Sequence, residues 1–459
     1  MAQASPKVMI VGAGLGGLLL GVLLEKMGIE YDIFERSTTL KPYGAGMSVG
    51  PNIMPLLEQL EILSDLKKLS LPATTMDIYS EDMSLMGAML GTEHEAEVGY
   101  GNILFSRPEF HTLLLSKIPA HRMHYGKKVV SVEQTETHAL IRCADGQIHE
   151  GDILVGADGA YSAVRSSIYE ELKKDNKLPA NDIQEMNVGY ACIVGTTTAL
   201  STDKYPCLKK DTSSFAVCIA DGKPHSWTII TVPGQRIAWG FVIQLSPEEK
   251  KAAVANAEWK PESIDTTLEK IIHHKVPYGG TIGDLVDNTP KDLISKVYLE
   301  DKLFETWNHG RIALIGDACH KMLPSAGQGA TNAMEDAVII ANCIYELGSS
   351  FSKTDIETAL SDYREQRFEH AKEQVENSNM AGKLFYGQTW VERLIRRAVL
   401  NWIPKSFEKA TLTKAVAYRP QATFLPMVPK RGAFPVLPQK LSKRYEEEQQ
   451  QQKKTVQAV

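Results

Sequence analysis

The chain of 459 residues has no CxxC pair among its six cysteines, Cys143, Cys192, Cys207, Cys218, Cys319 and Cys343. Such wide spacing excludes a disulfide framework and a metal site of the zinc-finger kind, and it fits a reducing, cytoplasmic compartment. A long basic run is also missing: the formal net charge is −6, with only a few mixed charges gathered near the end. With no cationic face for a phosphate backbone, nucleic acid is excluded as a partner. The uncharged stretch Val8 to Leu24 approaches membrane-spanning length, but it is rich in glycine and has no basic residue in Met1 to Pro6, so it does not read as a signal anchor. There is no internal repeat. What remains is ordinary for a folded protein, 43% apolar and 23% charged residues, with a length that suggests two or three domains.

Lys7 to Val11 reads as a short buried strand, Leu18 to Met27 as a helix and Tyr31 to Phe34 as a second strand, together a βαβ unit. Ser106, Pro108 and Glu109 stand where a capping box places them, so a helix is expected from Pro108 through Leu115. Asp152 to Val155 and Arg311 to Ile315 repeat the buried-strand pattern, and a long helix is expected over Gln328 to Leu347. Between them, Asn187 to Leu245 alternates in the manner of a sheet with one wet face. Helical character continues through Tyr363 to Phe385. Val391, Leu394, Ile395, Ala398, Val399 and Trp402 then form an apolar stripe at helical spacing. Five prolines between Arg419 and Gln439 predict an extended, irregular segment, and the Gln-rich stretch Glu446 to Lys454 predicts a disordered tail.

Three segments carry chemistry. Gly12, Gly14 and Gly17 form GxGxxG between a strand and a helix, a turn that brings backbone and helix N-terminus up to a pyrophosphate; Glu35, with Arg36 beside it, ends the next strand, where a carboxylate reaches a ribose. This marks a dinucleotide without distinguishing FAD from NAD. In the second segment, Asp158, Gly159, Ser162 and Arg165 follow a strand; read alone, they are a β-turn and a capped helix. In the third, Asp317, His320, Pro324, Gly327, Gly329 and Asn332 make a loop that opens a helix, whose N-terminus stabilises negative charge. Glycine density alone leaves open a purely structural loop.

In this order, with Arg107 after a strand between the first and second, the segments resemble the FAD-dependent monooxygenases of the aromatic-hydroxylase type, a family that includes epoxidases of terpenoid pathways. The resemblance covers about Val8 to Ala381. It implies that Glu35 binds the adenosine ribose and that Arg107 meets the FAD phosphates or ribityl chain. Asp158 and Arg165 would face the nicotinamide approach, Asp317 the ribityl or pyrophosphate, and Gly327 to Asn332 the flavin ring. Cys319 stands where the family often has alanine, and the apolar C-terminal membrane spans of some fungal terpenoid epoxidases are missing, because Arg393, Arg396 and Arg397 interrupt every candidate window. The implied fold class is α/β: a Rossmann-like FAD-binding domain with an inserted β-rich substrate domain and a helical C-terminal extension. Residues 1–80, 106–186 and 301–380 would form the FAD-binding parts, 81–105 and 187–300 the substrate domain, and 381–459 the C-terminal helix, Pro-rich extension and tail.

No second GxGxxG follows a strand, so NADPH or NADH is expected as a transient visitor that reduces FAD. The resemblance then implies O2 addition to give a flavin hydroperoxide that hydroxylates or epoxidises an apolar aromatic or isoprenoid molecule, with the protein supplying orientation and a dry site. No catalytic triad or metal set is required, and no side chain is assigned as catalytic acid or base; His320 is expected to serve the cofactor loop, and His225, Trp227 and Trp239 to be core. The alternatives are a flavin-dependent reductase or halogenase on the same scaffold, or a non-catalytic flavoprotein. Against a halogenase, Leu400 stands where WxWxIP needs tryptophan before Trp402, Ile403 and Pro404. The 390–402 helix is expected to pack on the body ahead of lying in a membrane interface.

Overall fold

The computed structural model describes residues 5–40, 44–90, 95–220, 222–255, 262–348, 351–387, 389–402, 405–439 and 441–457. Ile403, Pro404 and the side chain of Trp402 lie outside the described residues, as do those of the tail from Gln451 onward.

The cofactor domain is built on a six-stranded sheet with Val8–Val11 near its middle. Tyr31–Glu35 pairs with that strand in parallel on one side and Ile153–Gly156 on the other; Met123–Tyr125 and Ile312–Leu314 extend the parallel set outward. The central runs VMIV and ILVG are buried along their whole length, as strands covered on both faces must be. Helices Leu15–Met27 and Gly329–Glu346 lie side by side against this sheet, so close that a Cβ on Gly16 would stand 3.3 Å from that of Ala333. Every parallel strand therefore ends at the same edge, and the chain reversals there form the crevice where open α/β sheets bind ligands.

The substrate domain is a ten-stranded sheet, and it differs from the expected boundaries. Gly46–Val49 and Ser70–Ser80 belong to it although both precede residue 81, and Ser295–Leu303 pairs with His320–Lys321 of the cofactor loop. Sequence alternation does not mark Gly46–Val49, whose first three residues are half-buried. One face carries Trp227, Trp239 and Phe241 into a core closed by residues 200–208 and 268–294. Both indoles donate inside that core, Trp227 to the Lys275 carbonyl and Trp239 to Thr289, so the aromatics are core as expected. The other face turns toward the long helix Lys353–Tyr386.

Two local expectations are corrected, and a third in part. Helix Arg107–Leu115 starts with Pro108 in its first turn, but the Ser106 side chain makes no capping hydrogen bond. The segment expected as a disordered tail is a helix, Lys443–Gln457, held where Glu448 accepts from the Tyr345 hydroxyl and from Arg444. Helix Trp390–Trp402 packs on the body as expected, with Leu400 against Gly87, but the first half of its apolar side faces outward: Trp390, Val391, Leu394 and Ile395 are 72, 43, 55 and 53% exposed. Arg396 turns inward instead and donates to the Leu384 and Gly387 carbonyls at the end of the preceding helix, where unpaired carbonyls attract a cation.

The Pro-rich segment is extended as expected and packs back on the cofactor domain through Gln59, Glu58 and Asn342. No helix among the described residues is long and apolar enough to cross a membrane.

Candidate cofactor and substrate site

The site residues expected from sequence converge because four of the parallel strands end in their loops. Gly12 follows Val11 with φ +105°, and a Cβ there would stand 2.4 Å from the Ala157 carbonyl oxygen, so only glycine fits. Gly17 brings the helix against the turn: its Cβ would meet the Gly12 oxygen at 2.2 Å. Gly14 differs, for no atom lies within 4 Å of a Cβ placed there. Its open side forms a cradle that a side chain would fill, at the N-terminus of Leu15–Met27.

Glu35 is held at the rim, accepting from Ala13 N–H at 3.0 Å and from Ser37 N–H at 2.8 Å. Two fixed oxygens keep spare lone pairs for a ribose. Arg36 is exposed beside it. His111, which sequence reasoning missed, sits one turn after Arg107 and bonds the Ala13 carbonyl at 2.7 Å; burial holds its imidazole below the usual value. The i, i+4 spacing from Arg107 was the available signal.

Arg107 packs against Gly44, where a Cβ would be 3.1 Å from its Cδ, and burial lowers its guanidinium while nearby Asp317 opposes that shift. Asp317 follows Gly316, whose φ is +63°, and accepts from Lys321 at 2.6 Å. Lys321 is a second missed residue. Burial opposes its charge, yet Asp317 and then Glu300 keep it protonated above the usual lysine value. Arg107, Asp317 and Lys321 thus form one charged group at the mouth of the crevice.

The Asp158 segment has a different division of labour. Asp158 Oδ2 caps helix Ala163–Lys174 through Ala163 and Val164 N–H at 2.8 and 3.2 Å, which is the structural reading of the motif. Its Oδ1 is buried without a partner among the described residues, and burial raises the carboxyl. Arg165 does not face an approaching ligand. It is 9% exposed, donates to the Ala318 and Ala160 carbonyls and lies 4.0 Å over the Phe304 ring, so it braces two loops together.

In the third segment Pro324 opens a single turn that Gly327 closes with φ +65°. Gly329 begins the helix, and Asn332, 1% exposed, bonds Gln328 and accepts from Arg367 rather than facing outward. Beneath lies a charge network that the sequence did not reveal. His320 meets Asp336 at 2.5 Å, and Asp336 also accepts from Gly316 N–H at 2.8 Å. Arg367 joins Asp336 at 2.8 Å and Glu335 at 3.1 Å, with all of these side chains at most 1% exposed. Burial alone would raise the Asp336 carboxyl, but His320 and Arg367 outweigh it and hold it near about 2. The network pins Gly316 and Asn332, and so fixes both ends of the loop.

The residues fit a flavin dinucleotide: a cradle at Gly14, a carboxylate at the ribose position, buried cations beside Asp317 and a second helix N-terminus at Gly329. Next to this loop the sheet presents an apolar wall, with Leu323, Phe385 and Tyr386 packed on Cys192, Val217 and Val242.

Residues 5–378 match the model of the FAD-binding domain family. The FAD-dependent monooxygenase ausM of Emericella nidulans is 29% identical over 440 residues, covering 93% of this chain and 88% of that protein. The FAD-dependent monooxygenase andE of Emericella variicolor is 31% identical over 389 residues, 81% of this chain and 78% of that one. Among solved structures, HpxO of Klebsiella pneumoniae, complexed with FAD and uric acid, has a TM-score of 0.73 at 21% identity, covering 90% of this chain and 97% of that one. With the matched domain spanning the crevice and its loops, the chain belongs to the FAD-dependent monooxygenases of the aromatic-hydroxylase type, the family that includes the terpenoid epoxidases.

Proposed function

We propose that the enzyme uses NADPH or NADH and O2 to hydroxylate or epoxidise an apolar small molecule, aromatic or isoprenoid. The observation that carries the substrate class is the apolar cluster beside the cofactor loop, where Leu323, Phe385, Val217 and Val242 pack together. Bound FAD supplies hydride acceptance and oxygen activation. Gly12, Gly14 and Gly17 hold its pyrophosphate, Glu35 its ribose with Arg36 alongside, and Arg107 and Asp317 its middle. Lys321 holds Asp317 in place by its hydrogen bond. Asp158 would offer Oδ1 at the same edge, and the backbone from Pro324 through Gly329 would hold the flavin ring. Four of the five parallel strands of the cofactor sheet end in this one set of loops, which supports a nicotinamide that visits without a fold of its own. The test is NADPH and NADH oxidation by the FAD-loaded enzyme against a panel of phenols and prenylated compounds. Stimulation by at least one apolar compound is expected; an enzyme that stays colourless after FAD supplementation contradicts the reading.

The exposed stripe Trp390, Val391, Leu394 and Ile395, flanked by Arg393 and Arg397, favours a second element of this reading: the helix rests in a membrane interface and admits lipophilic substrate. Wild-type protein should float with anionic phospholipid vesicles, and a Leu394→Ser, Ile395→Ser variant should not. Equal flotation of the two would contradict this role.

A further inference from the structure

On the far face of the substrate sheet, away from the cofactor loop, three segments bring metal-binding side chains together. Glu81 stands in the turn between Ser70–Ser80 and Leu85–Leu90, His225 begins the strand His225–Val232, and His274 follows the helix Glu262–Ile271. One ligand atom from each lies within 4.8 Å of the others. We propose that Glu81, His225 and His274 bind a zinc ion, with water as the remaining ligand.

Three observations support the site. The His274 side chain is 3% exposed, and its Nδ1 lies 3.6 Å from Glu81 Oε1, too far for a hydrogen bond and close enough for an intervening ion. His225 Nε2 is buried without a partner among the described residues, a state that costs about 1–3 kcal/mol unless something completes it. Lys223 donates to Glu81 at 2.6 Å and is 51% exposed, so a cation already sits against the carboxylate and can swing into water.

Imidazole nitrogen with carboxylate oxygen suits zinc. Ligands at about 2.0–2.2 Å from a tetrahedral ion stand roughly 3.3–3.6 Å apart, so closing the site needs movements of about 1 Å. His225 packs on Phe241 and His274 on Trp227, which limits the rings to small adjustments. Lying on the sheet face opposite the apolar wall, the ion would tie the turn, the strand and the helix end together and take no part in oxygen transfer.

The experiment is calorimetric titration of the FAD-loaded full chain with Zn2+, with metal content measured after dialysis. One saturable equivalent is expected. Loss of an outer-shell partner commonly costs about 10–100-fold in affinity, so Glu81→Gln and His225→Ala, each removing a ligand, should weaken binding by about 100-fold. Flavin absorbance verifies that each variant is folded. Lys223→Met keeps all three ligands and removes the competing cation, so it should bind at least as tightly as wild type. No saturable binding by wild type, unchanged affinity in Glu81→Gln and His225→Ala, or weaker binding by Lys223→Met would overturn the site. The result is independent of the substrate proposed for the flavin.

Discussion

Arg367→Met is expected to destabilise the enzyme by about 3–5 kcal/mol, the usual effect of removing one partner from a buried ion pair. Arg367 is fully buried against Glu335 and Asp336, themselves at most 1% exposed, so methionine would strip both buried carboxylates of their shared guanidinium and leave Asp336 to His320 and Glu335 to His370. Such a loss is a large part of the total stability of an ordinary domain, about 5–15 kcal/mol. The effect should also reach the cofactor, because Arg367 donates to Asn332 at 2.9 Å and Asn332 closes the first turn of the helix over the proposed ring site. Urea unfolding followed by tryptophan fluorescence and flavin release checks both.

The same network predicts acid sensitivity. Asp336 has a folded value near about 2, below the usual aspartate value of about 3.9. A depressed carboxyl contributes its stability in full above the unfolded value and loses it as pH falls through the folded one, so this contribution should disappear between about pH 4 and pH 2. A stability profile that stays flat there would contradict the charge assignment.

Gly14→Val should preserve the fold and remove FAD. The residue has φ −73°, open to any L-amino acid, and a Cβ at this position meets nothing within 4 Å. Nothing in the protein therefore resists the valine; the obstructed group is the ligand. FAD affinity should fall by about 100-fold or more, equivalent to about 2.7 kcal/mol. Gly12→Val supplies the contrast, since its side chain would enter the Ala157 carbonyl at a positive φ and should disrupt the turn itself. Gly14→Val with normal FAD binding would show that the cradle serves another purpose.

How much of this was legible in the sequence follows from which contacts are local. The cofactor loops could be located because each follows a short run such as VMIV or ILVG and the glycines fall at its end. The aromatic strands were readable as core for a similar reason. Roles set by distant partners were not. Arg165 looks like a ligand-facing cation in its own segment, and only its bond to Ala318, 153 residues away, makes it a brace. Lys321 carries no sequence signal separate from the loop, and the Arg367 network joins residues from two helices that no spacing rule links. That the first half of helix Trp390–Trp402 turns its apolar side outward was not legible, because the carbonyls that draw Arg396 inward belong to the end of another helix.

The most direct test of the account is turnover under 18O2 with NADPH or NADH and a panel of phenols and prenylated compounds. The account predicts that an apolar product gains one 18O atom for each nicotinamide oxidised in coupled turnover. A product formed with oxygen from water, or substrate converted with no oxygen gained, would contradict it.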